Sequence, residues 1–202
     1  MKVFSKGRLG AVLAMSVMML IAAQPAFAAT AKFGAKLGSG TFPSNSYPGT
    51  YCDHEIDGGS DTYACTWILL NSFGGGSVTA PKNGKISKVK FVAGQAGSFK
   101  LVIARKNASG QFKVTAASAK INYGTDNCLV NCVTRTVTLS SQLNVSTGDY
   151  VGVQGAKIGT LRCDSGGNKI ALLKPPAPVG GSYVTPTDYS GCFLLVTAVY
   201  AS

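Results

Sequence analysis

The sequence is poor in the side chains on which most enzyme active sites depend. It contains one His, His54, and eight acidic residues, of which only Glu55 is a glutamate. It also lacks the G-x-S-x-G pattern that surrounds the nucleophile of many serine hydrolases. General acid-base and nucleophilic catalysis need such groups in pairs or triads that meet in one cleft. This scarcity favours a binding protein over an enzyme, and we assign no catalytic residue.

Long apolar runs are missing beyond the N-terminus. Residues 1–28 combine three basic residues, an apolar run and the small-residue sequence AFA, which precedes a further Ala. These features predict a secretory signal peptide that is cleaved after Ala28. The apolar run is shorter than a membrane span, and no later segment approaches about 18 consecutive apolar residues. We therefore expect a protein without a transmembrane segment that is secreted, either to the periplasm or to the outside of the cell.

A sustained apolar period of 3.6 residues is absent as well. Short β-branched runs alternate instead with turn sequences such as KNG, NASG and STGD, which predicts an all-β fold. We expect one jelly-roll-like β-sandwich domain over residues 51–202, a loose Gly-, Ser- and Pro-rich arm over residues 29–50, and a long surface loop at 174–182. The nine predicted strands are CTWILLNS, GSVTA, KISKVKFVA, SFKLVIARK, QFKVTAASAKI, CVTRTVTLS, DYVGVQG, NKIALLK and CFLLVTAVY.

All six cysteines follow the predicted signal peptide. An even number of cysteines in an exported protein favours disulfides, although six cysteines allow 15 pairings. We favour pairs that close a short loop or that join a loop to the final strand. A zinc site is a weak alternative, because C-x3-C occurs once and the single His is distant in sequence. The favoured pairs are Cys52 with Cys65, Cys128 with Cys132, and Cys163 with Cys192.

The chain is basic. Without the three basic residues of the signal peptide, 16 Lys and Arg remain against eight acidic residues, a net charge of +8. Period-2 alternation places two apolar sets toward the core and four lysines on one outer sheet face. Such a face binds polyanions or simply stays solvated and blocks edge pairing. The inward sets are Phe99, Leu101, Ile103 and Phe112, Val114, Ala116, and the lysines are Lys88, Lys90, Lys100 and Lys113.

An acidic loop, DHEIDGGSD at 53–61, holds half of the acidic residues. Carboxylates crowded in this way repel one another unless water, lysines or a hard cation screens them. Calcium prefers six to eight oxygen ligands, which this loop is rich in. It is not an EF-hand, because Ala64 stands where that loop needs its bidentate Glu. A solvated acidic loop is the alternative to a structural calcium site with Asp53, Glu55, Asp57 and Asp61 as ligands.

Four aromatic residues surround the acidic loop: Tyr47, Tyr51, Tyr63 and Trp67. Sugar rings stack on rigid aromatic faces while carboxylates accept their hydroxyl hydrogens. Trp67, however, opens the apolar run WILL, which favours a core position over a platform. The leading hypothesis is a secreted binding module whose ligand is extracellular or cell-envelope carbohydrate, or another anionic envelope polymer. Nucleic acid is not an expected partner. The alternative is a structural surface or matrix protein that associates through its sheet edges.

The segment RCDSGGN at 162–168 resembles the Asp-Ser-Gly-Gly sequence around the nucleophile of trypsin-like serine proteases. The resemblance implies a serine hydrolase in which His54 takes the proton of Ser165, with Asp57, Asp61 or Asp126 as the third member. Cys163 replaces the glycine of the family pattern, however, and DSGG is an ordinary turn composition. This function ranks below binding.

Two longer segments, SVTAPKNGKISKVKFVAGQAGSFKLVIAR and LNVSTGDYVGV, resemble a pattern in secreted bacterial β-sandwich proteins of unassigned function. The pattern has an apolar-Pro-x-x-Gly turn, a strand ending in Arg and a Gly-Asp pair before a later strand, and here it spans about residues 77–155. The resemblance implies the fold and export and brings no catalytic residues. In it, Gly148 supplies an unusual backbone angle and Asp149 accepts backbone donors of the same turn.

Overall fold

The structure, a computed structural model, describes residues 30–37, 50–51, 64–94, 96–124, 133–158, 161–163 and 167–201. Across these ranges the chain forms β-strands and one 3-10 turn, Phe73–Gly75, with no α-helix, so the all-β prediction is confirmed for them. No helix among these residues is long and apolar enough to cross a membrane. The strands are β1 (Thr30–Gly34), β2 (Thr50–Tyr51), β3 (Cys65–Leu69), β4 (Gly84–Phe91), β5 (Gly97–Lys106), β6 (Phe112–Tyr123), β7 (Arg135–Val145), β8 (Tyr150–Gly155), β9 (Lys157–Ile158), β10 (Leu161–Cys163), β11 (Ile170–Leu173), β12 (Asp188–Ser190), β13 (Cys192–Leu194) and β14 (Val196–Ala201).

Two antiparallel sheets make up most of the fold. One sheet has four strands in the order β1-β14-β4-β7, and the other has six in the order β12-β11-β3-β8-β5-β6. Two short ribbons, β2-β9 and β10-β13, complete the pairings. The four-stranded sheet joins distant parts of the sequence, since β14 lies between β1 and β4.

The two sheets share one core. Phe91 of the four-stranded sheet packs edge-on against Phe99 of the six-stranded sheet, with ring centroids 5.1 Å apart. Tyr123 of β6 lies against both rings, at 5.3 and 5.6 Å. Phe33 and Tyr200 form a second T-shaped pair at 5.8 Å within the four-stranded sheet. Each such ring contributes about 1.5–3 kcal/mol on burial, which holds the two sheets face to face.

The six-stranded sheet also buries part of its other face. Residues 174–187, here termed the strap, cross that face between β11 and β12 and pair with β6. The amide of Gly180 donates to the Val114 carbonyl at 2.9 Å, and Val184 and Phe112 exchange two backbone hydrogen bonds of 2.8 and 2.9 Å. A separate apolar layer fills the space beneath the strap: Ile68, Val102, Ala104, Phe112, Val114, Ala171, Leu173 and Ala177.

Phe112 and Val114 are buried, as predicted, but in this second layer, whereas Ala116 packs against the shared core. The reason is a β-bulge in β6. Ala104 stands opposite Val114 and Ile103 stands opposite Ala116, which leaves Thr115 as the extra residue. One inserted residue reverses the face of the residues that follow.

Two further predictions differ from the structure at the chain's ends. Residues 30–34, predicted as part of a loose arm, form β1, in which Phe33 is buried and pairs opposite Ala198. The predicted strand CFLLVTAVY is divided at Leu195. Its first part, β13, pairs with β10, while its second part, β14, pairs with β1 and β4.

Candidate functional site

Most of the predicted ligand residues lie outside the described residues. These are the calcium candidates Asp53, Glu55, Asp57 and Asp61, the aromatic residues Tyr47 and Tyr63, the hydrolase pair His54 and Ser165, and Cys52, Cys128 and Cys132. The calcium site and the hydrolase therefore stay predictions. Tyr51 lies in β2, where its backbone pairs with Lys157 of β9. In the part of the chain that the structure describes, no group of three or more His, Cys, Asp or Glu is placed to hold a metal ion.

Trp67 belongs to the core. It is 3 % exposed, and the strand that carries it, CTWIL, is buried at all five positions. Its cross-strand neighbours are Leu172 on β11 and Val153 on β8, so β3 is a central strand of the six-stranded sheet. Central strands that are covered on both faces have near-continuous apolar sequences. The assignment of Trp67 to ligand binding is therefore wrong.

The Gly-Asp pair before β8, Gly148 and Asp149, forms a hydrogen-bonded turn. Gly148 has a φ of +83°, and the Asp149 carboxylate accepts the Ser146 amide at 2.8 Å. The structural interpretation of Gly148 and Asp149 is confirmed. The same carboxylate also accepts two hydrogen bonds from Arg105, from Nε at 2.8 Å and from Nη2 at 3.0 Å.

The three parts of the motif meet at one end of the six-stranded sheet. The amide of Gly148 donates to the Ala80 carbonyl at 2.8 Å, and the amide of Ala80 donates to the Asp149 carbonyl at 2.8 Å. Asn83 Oδ1 accepts the Thr147 amide at 2.8 Å. The apolar-Pro-x-x-Gly turn, the terminal Arg and the Gly-Asp pair therefore form one hydrogen-bonded unit.

Burial differs across this ion pair. The Asp149 side chain is 2 % exposed, whereas the Arg105 side chain is 45 % exposed. The hydrogen bond to Asp149, together with its negative charge, raises the pKa of Arg105 above its usual value. Arg105 is thus held in a fixed orientation while part of its guanidinium faces solvent. A buried carboxylate with three hydrogen bonds is satisfied within the protein and is not a candidate catalytic base.

The outer face of the four-stranded sheet carries Lys32, Lys85, Lys88 and Lys90, here termed the lysine face. Lys32 and Lys88 flank Val199, with Lys32 and Val199 paired across β1-β14 and Val199 and Lys88 paired across β14-β4. Val199 is 6 % exposed. Long lysine side chains cover apolar neighbours with their methylene groups. None of the four strands contains Asp or Glu.

Thr136 and Thr138 of β7 extend the lysine face. They stand opposite Lys90 and Lys88 and are both exposed. The face therefore combines ammonium groups with hydroxyl groups and has no carboxylate of its own strands to neutralise it.

The four lysines of the sequence prediction do not share this face. Lys88 and Lys90 do, but Lys100 and Lys113 lie in the six-stranded sheet. Lys100 stands directly opposite Lys120. These two lysines line an open depression of about 330 Å³ together with Gln154, Gly97 and Ala64. Alternation correctly kept the four side chains out of the buried core. It gave no information on which sheet each strand joins, and the bulge in β6 puts Lys113 on the same side of the sheet as Ile103.

Sequence reasoning missed the exposed residues of the strap. Among the described large hydrophobic residues, the exposed ones are Val133 and four residues at positions 179–189: Val179, Tyr183, Val184 and Tyr189. The signal for Tyr183 was present in the sequence, because this residue directly follows the Pro- and Gly-rich predicted loop KPPAPVGGS at 174–182. An aromatic side chain beside a predicted surface loop is a stronger indication of binding than one in an apolar strand.

Comparison with known proteins shows no relative: no protein-family model, curated protein or solved structure matches the chain. The fold and the sites define an all-β protein of two antiparallel sheets with a lysine face and an arginine-centred turn. The likeness to secreted bacterial β-sandwich proteins over residues 77–155 stays a prediction.

Proposed function

We propose that the protein is a secreted, disulfide-stabilised binding module with a jelly-roll-like β-sandwich fold, whose ligand is an anionic extracellular or cell-envelope carbohydrate. The lysine face is the observation that carries this proposal. It presents Lys32, Lys85, Lys88 and Lys90 without an acidic residue in any of its four strands. A surface of one charge sign attracts polymers of the opposite sign.

The geometry of the lysine face suits an extended polymer. Lys32 and Lys88 lie two strands apart, which places their strands about 10 Å from each other. Thr136 and Thr138 add hydroxyl groups that exchange hydrogen bonds with sugar hydroxyls. Single-stranded nucleic acid requires aromatic platforms, and the described strands of this face expose no aromatic residue. The combination favours an acidic polysaccharide.

Disulfides are part of the proposal. Cys65 and Cys192 are buried, and no cysteine in the described ranges is a free thiol. Cys163 stands directly opposite Cys192 in the β10-β13 register. Opposed residues of antiparallel strands have Cα atoms about 4.5–5.5 Å apart, a separation that disulfides accept. We expect mass mapping of the non-reduced protein to link Cys163 with Cys192 and Cys52 with Cys65. Any other partner for Cys192 contradicts this pairing.

A structural calcium ion at the acidic loop is a separate proposal from the sequence. Binding to the folded state alone raises the melting temperature by mass action. We expect a higher Tm in millimolar calcium than in chelator, and no such shift with magnesium at the same ionic strength. Equal midpoints in calcium and chelator contradict the site.

The binding proposal is tested with polygalacturonate as the acidic polymer and dextran as the neutral one. In the triple variant Lys32→Gln, Lys88→Gln, Lys90→Gln, we expect affinity for polygalacturonate to fall about tenfold, since three exposed charge contacts contribute roughly 0.5 kcal/mol each. The control variant is Lys100→Gln, Lys106→Gln, Lys120→Gln, which removes the same charge from the six-stranded sheet.

Affinity is measured by co-sedimentation at several salt concentrations. The proposal requires preference for the acidic polymer and a larger loss in the lysine-face variant than in the control. Equal losses mean that net charge alone acts, and equal binding of dextran means that charge is not recognised. Concentration-dependent assembly without any polymer favours the structural surface protein instead.

A further inference from the structure

We propose a second, more selective site at the end of the six-stranded sheet, where Tyr183, Lys113 and Arg105 hold one acidic sugar unit of the ligand. The sugar ring stacks on Tyr183 and its anionic oxygens lie between Lys113 and Arg105. This inference rests on the proposed function, because it names the unit of the anionic carbohydrate that is recognised.

The register places these side chains in one row. Arg105 of β5 pairs with Lys113 of β6. Val184 of the strap pairs with Phe112. Continuing this antiparallel register by one residue sets Tyr183 opposite Lys113. A hydrogen bond of 3.3 Å from Gln111 Nε2 to Thr185 Oγ1 continues the same register on the other side. Residues opposite one another across neighbouring strands share a face of the sheet.

Asp149 completes the row on the β8 side. Ala104 pairs with Tyr150, so the next pair is Arg105 with Asp149, as their two hydrogen bonds require. The order across the sheet is therefore Tyr183, Lys113, Arg105, Asp149, here termed the end row. It lies two residues beyond Ile103, whose side chain belongs to the shared core.

The charges of the end row do not balance. Asp149 is the only carboxylate in it, and both of its oxygens are already bound to Arg105 and to the Ser146 amide. Lys113 forms no ion pair with any acidic residue that the structure describes. Two cations directly opposite each other repel unless an anion lies near both. An oxyanion of a ligand supplies the missing negative charge.

Arg105 is prepared for this role by its neighbour. Its Nε and Nη2 groups are fixed by the buried Asp149, and its side chain is 45 % exposed. The remaining N–H groups have a set direction and lose little entropy on binding. Lys113 lies opposite and adds a second, mobile donor.

The aromatic part of the site is held by the strap. Tyr183 is 37 % exposed, and its neighbours Val179 and Val184 are 55 % and 39 % exposed. The strap is fixed by backbone hydrogen bonds to Phe112 and Val114. An exposed ring on a fixed backbone, beside two cations, matches the two needs of an acidic sugar: an apolar surface for its ring face and donors for its carboxylate.

The test uses trigalacturonate, with galactotriose as the neutral probe and a sulfated galactotriose to separate carboxylate from sulfate recognition. Calorimetric titration is made with the full mature protein. We expect Lys113→Gln to weaken trigalacturonate binding about fivefold, the upper effect of one exposed charge contact. Tyr183→Ala has a similar effect, and Tyr183→Phe retains binding within about twofold because the ring remains.

Two controls remove comparable groups elsewhere on the same sheet. Tyr189→Ala removes an exposed tyrosine of β12 at the opposite edge, and Lys100→Gln removes an exposed lysine of β5. Neither changes trigalacturonate affinity. Thermal melts of all variants show that folding is unchanged.

The outcomes separate this inference from the proposed function. If the wild type binds neither polygalacturonate nor trigalacturonate, both are wrong. If polygalacturonate binding depends on the lysine face but Lys113→Gln and Tyr183→Ala behave as wild type with trigalacturonate, only the end-row site is wrong. If galactotriose binds as well as trigalacturonate, the site does not recognise an anion. If the sulfated galactotriose binds more strongly than trigalacturonate, the anionic group that the site recognises is a sulfate and not a carboxylate.

Discussion

The outer faces of the two sheets are built differently. On the four-stranded sheet, β4 alternates buried Ile86, Val89 and Phe91 with exposed or half-exposed lysines. On the six-stranded sheet, Leu101, Val102, Ile103 and Ala104 of β5 are all buried, although their side chains point to opposite faces. The strap causes the difference, because it covers one outer face and leaves the other to solvent.

The comparison shows what a two-residue period reports. Such a period reports which side chains are exposed. It identifies the two faces of a sheet only where one face is buried and the other is in contact with solvent. Segment LVIA lacks alternation because both faces are dry, whereas KISKVKF alternates because one face is open. The alternating lysines of a single strand are therefore visible in sequence, whereas an apolar layer under a strap is not distinguishable from an inner core.

The largest expected effect tests whether the layer under the strap is a true second core. Phe112 is 1 % exposed and packs edge-on against Tyr150 at 5.6 Å. We expect Phe112→Ala to lower the free energy of unfolding by about 3–5 kcal/mol. Val179→Ala, at an exposed position of the strap, is the control and changes it by less than about 0.5 kcal/mol. Both are measured by denaturant unfolding. A small loss for Phe112→Ala means that the strap does not close a packed layer.

The next effect concerns the attachment of the strap. Thr66 Oγ1 is buried and accepts hydrogen bonds from Gln154 Nε2 at 3.0 Å and from the Ala177 amide at 3.3 Å. Thr66→Val removes this acceptor with little change of shape, and we expect a loss of about 1–3 kcal/mol. In this variant we expect the backbone amides of Ala177 and Gly180 to exchange hydrogen with solvent faster than in the wild type. Thr66→Ser keeps the hydroxyl and retains their protection; equal protection in the valine variant contradicts the role of Thr66.

A smaller effect concerns the core that both sheets share. Tyr200 is fully buried, and within the described residues its hydroxyl is the one buried side-chain polar atom without a hydrogen-bond partner. Since burying an unpaired hydroxyl is unfavourable, we expect Tyr200→Phe to raise the free energy of unfolding by about 1 kcal/mol. Thermal and denaturant unfolding measure the change. A loss of stability shows that the hydroxyl is satisfied in solution.

The smallest expected effect on stability is at the lysine face. Lys88→Gln with Lys90→Gln changes the free energy of unfolding by less than about 0.5 kcal/mol, because exposed charges contribute little. We expect this double variant to lose affinity for the acidic polymer without losing stability. A marked gain of stability shows that repulsion among the lysines strains the sheet, and a marked loss shows that their methylene groups are essential cover for Val199.

The sequence predicted the composition of the fold better than its connections. Apolar runs and turn residues located the positions of β3 to β8 and β11, because these strands are long or strongly apolar. β1 was missed because Phe33 is the single large apolar residue in TAKFG. The division at Leu195 was missed because a change of sheet leaves no mark in an uninterrupted apolar run.

For the sites, sequence reasoning succeeded where the interaction is local. The role of Gly148 and Asp149 followed from turn chemistry that acts within four residues. Its partner Arg105 is 44 residues away, a distance that no local pattern covers. Trp67 was misassigned because an aromatic residue near an acidic loop indicates a platform only when its strand is exposed, and exposure depends on tertiary packing.

The position of β14 between β1 and β4 also has a consequence for the path of folding. Thr197 donates its hydroxyl to the carbonyl of Ala35, 162 residues earlier in the chain. Closing so long a loop is slow, so we expect β1 and β4 to exist for some time as unpaired edges. Lysines on such edges discourage pairing with other chains. The lysine face then also protects the chain from aggregation during the interval before β14 pairs with β1 and β4.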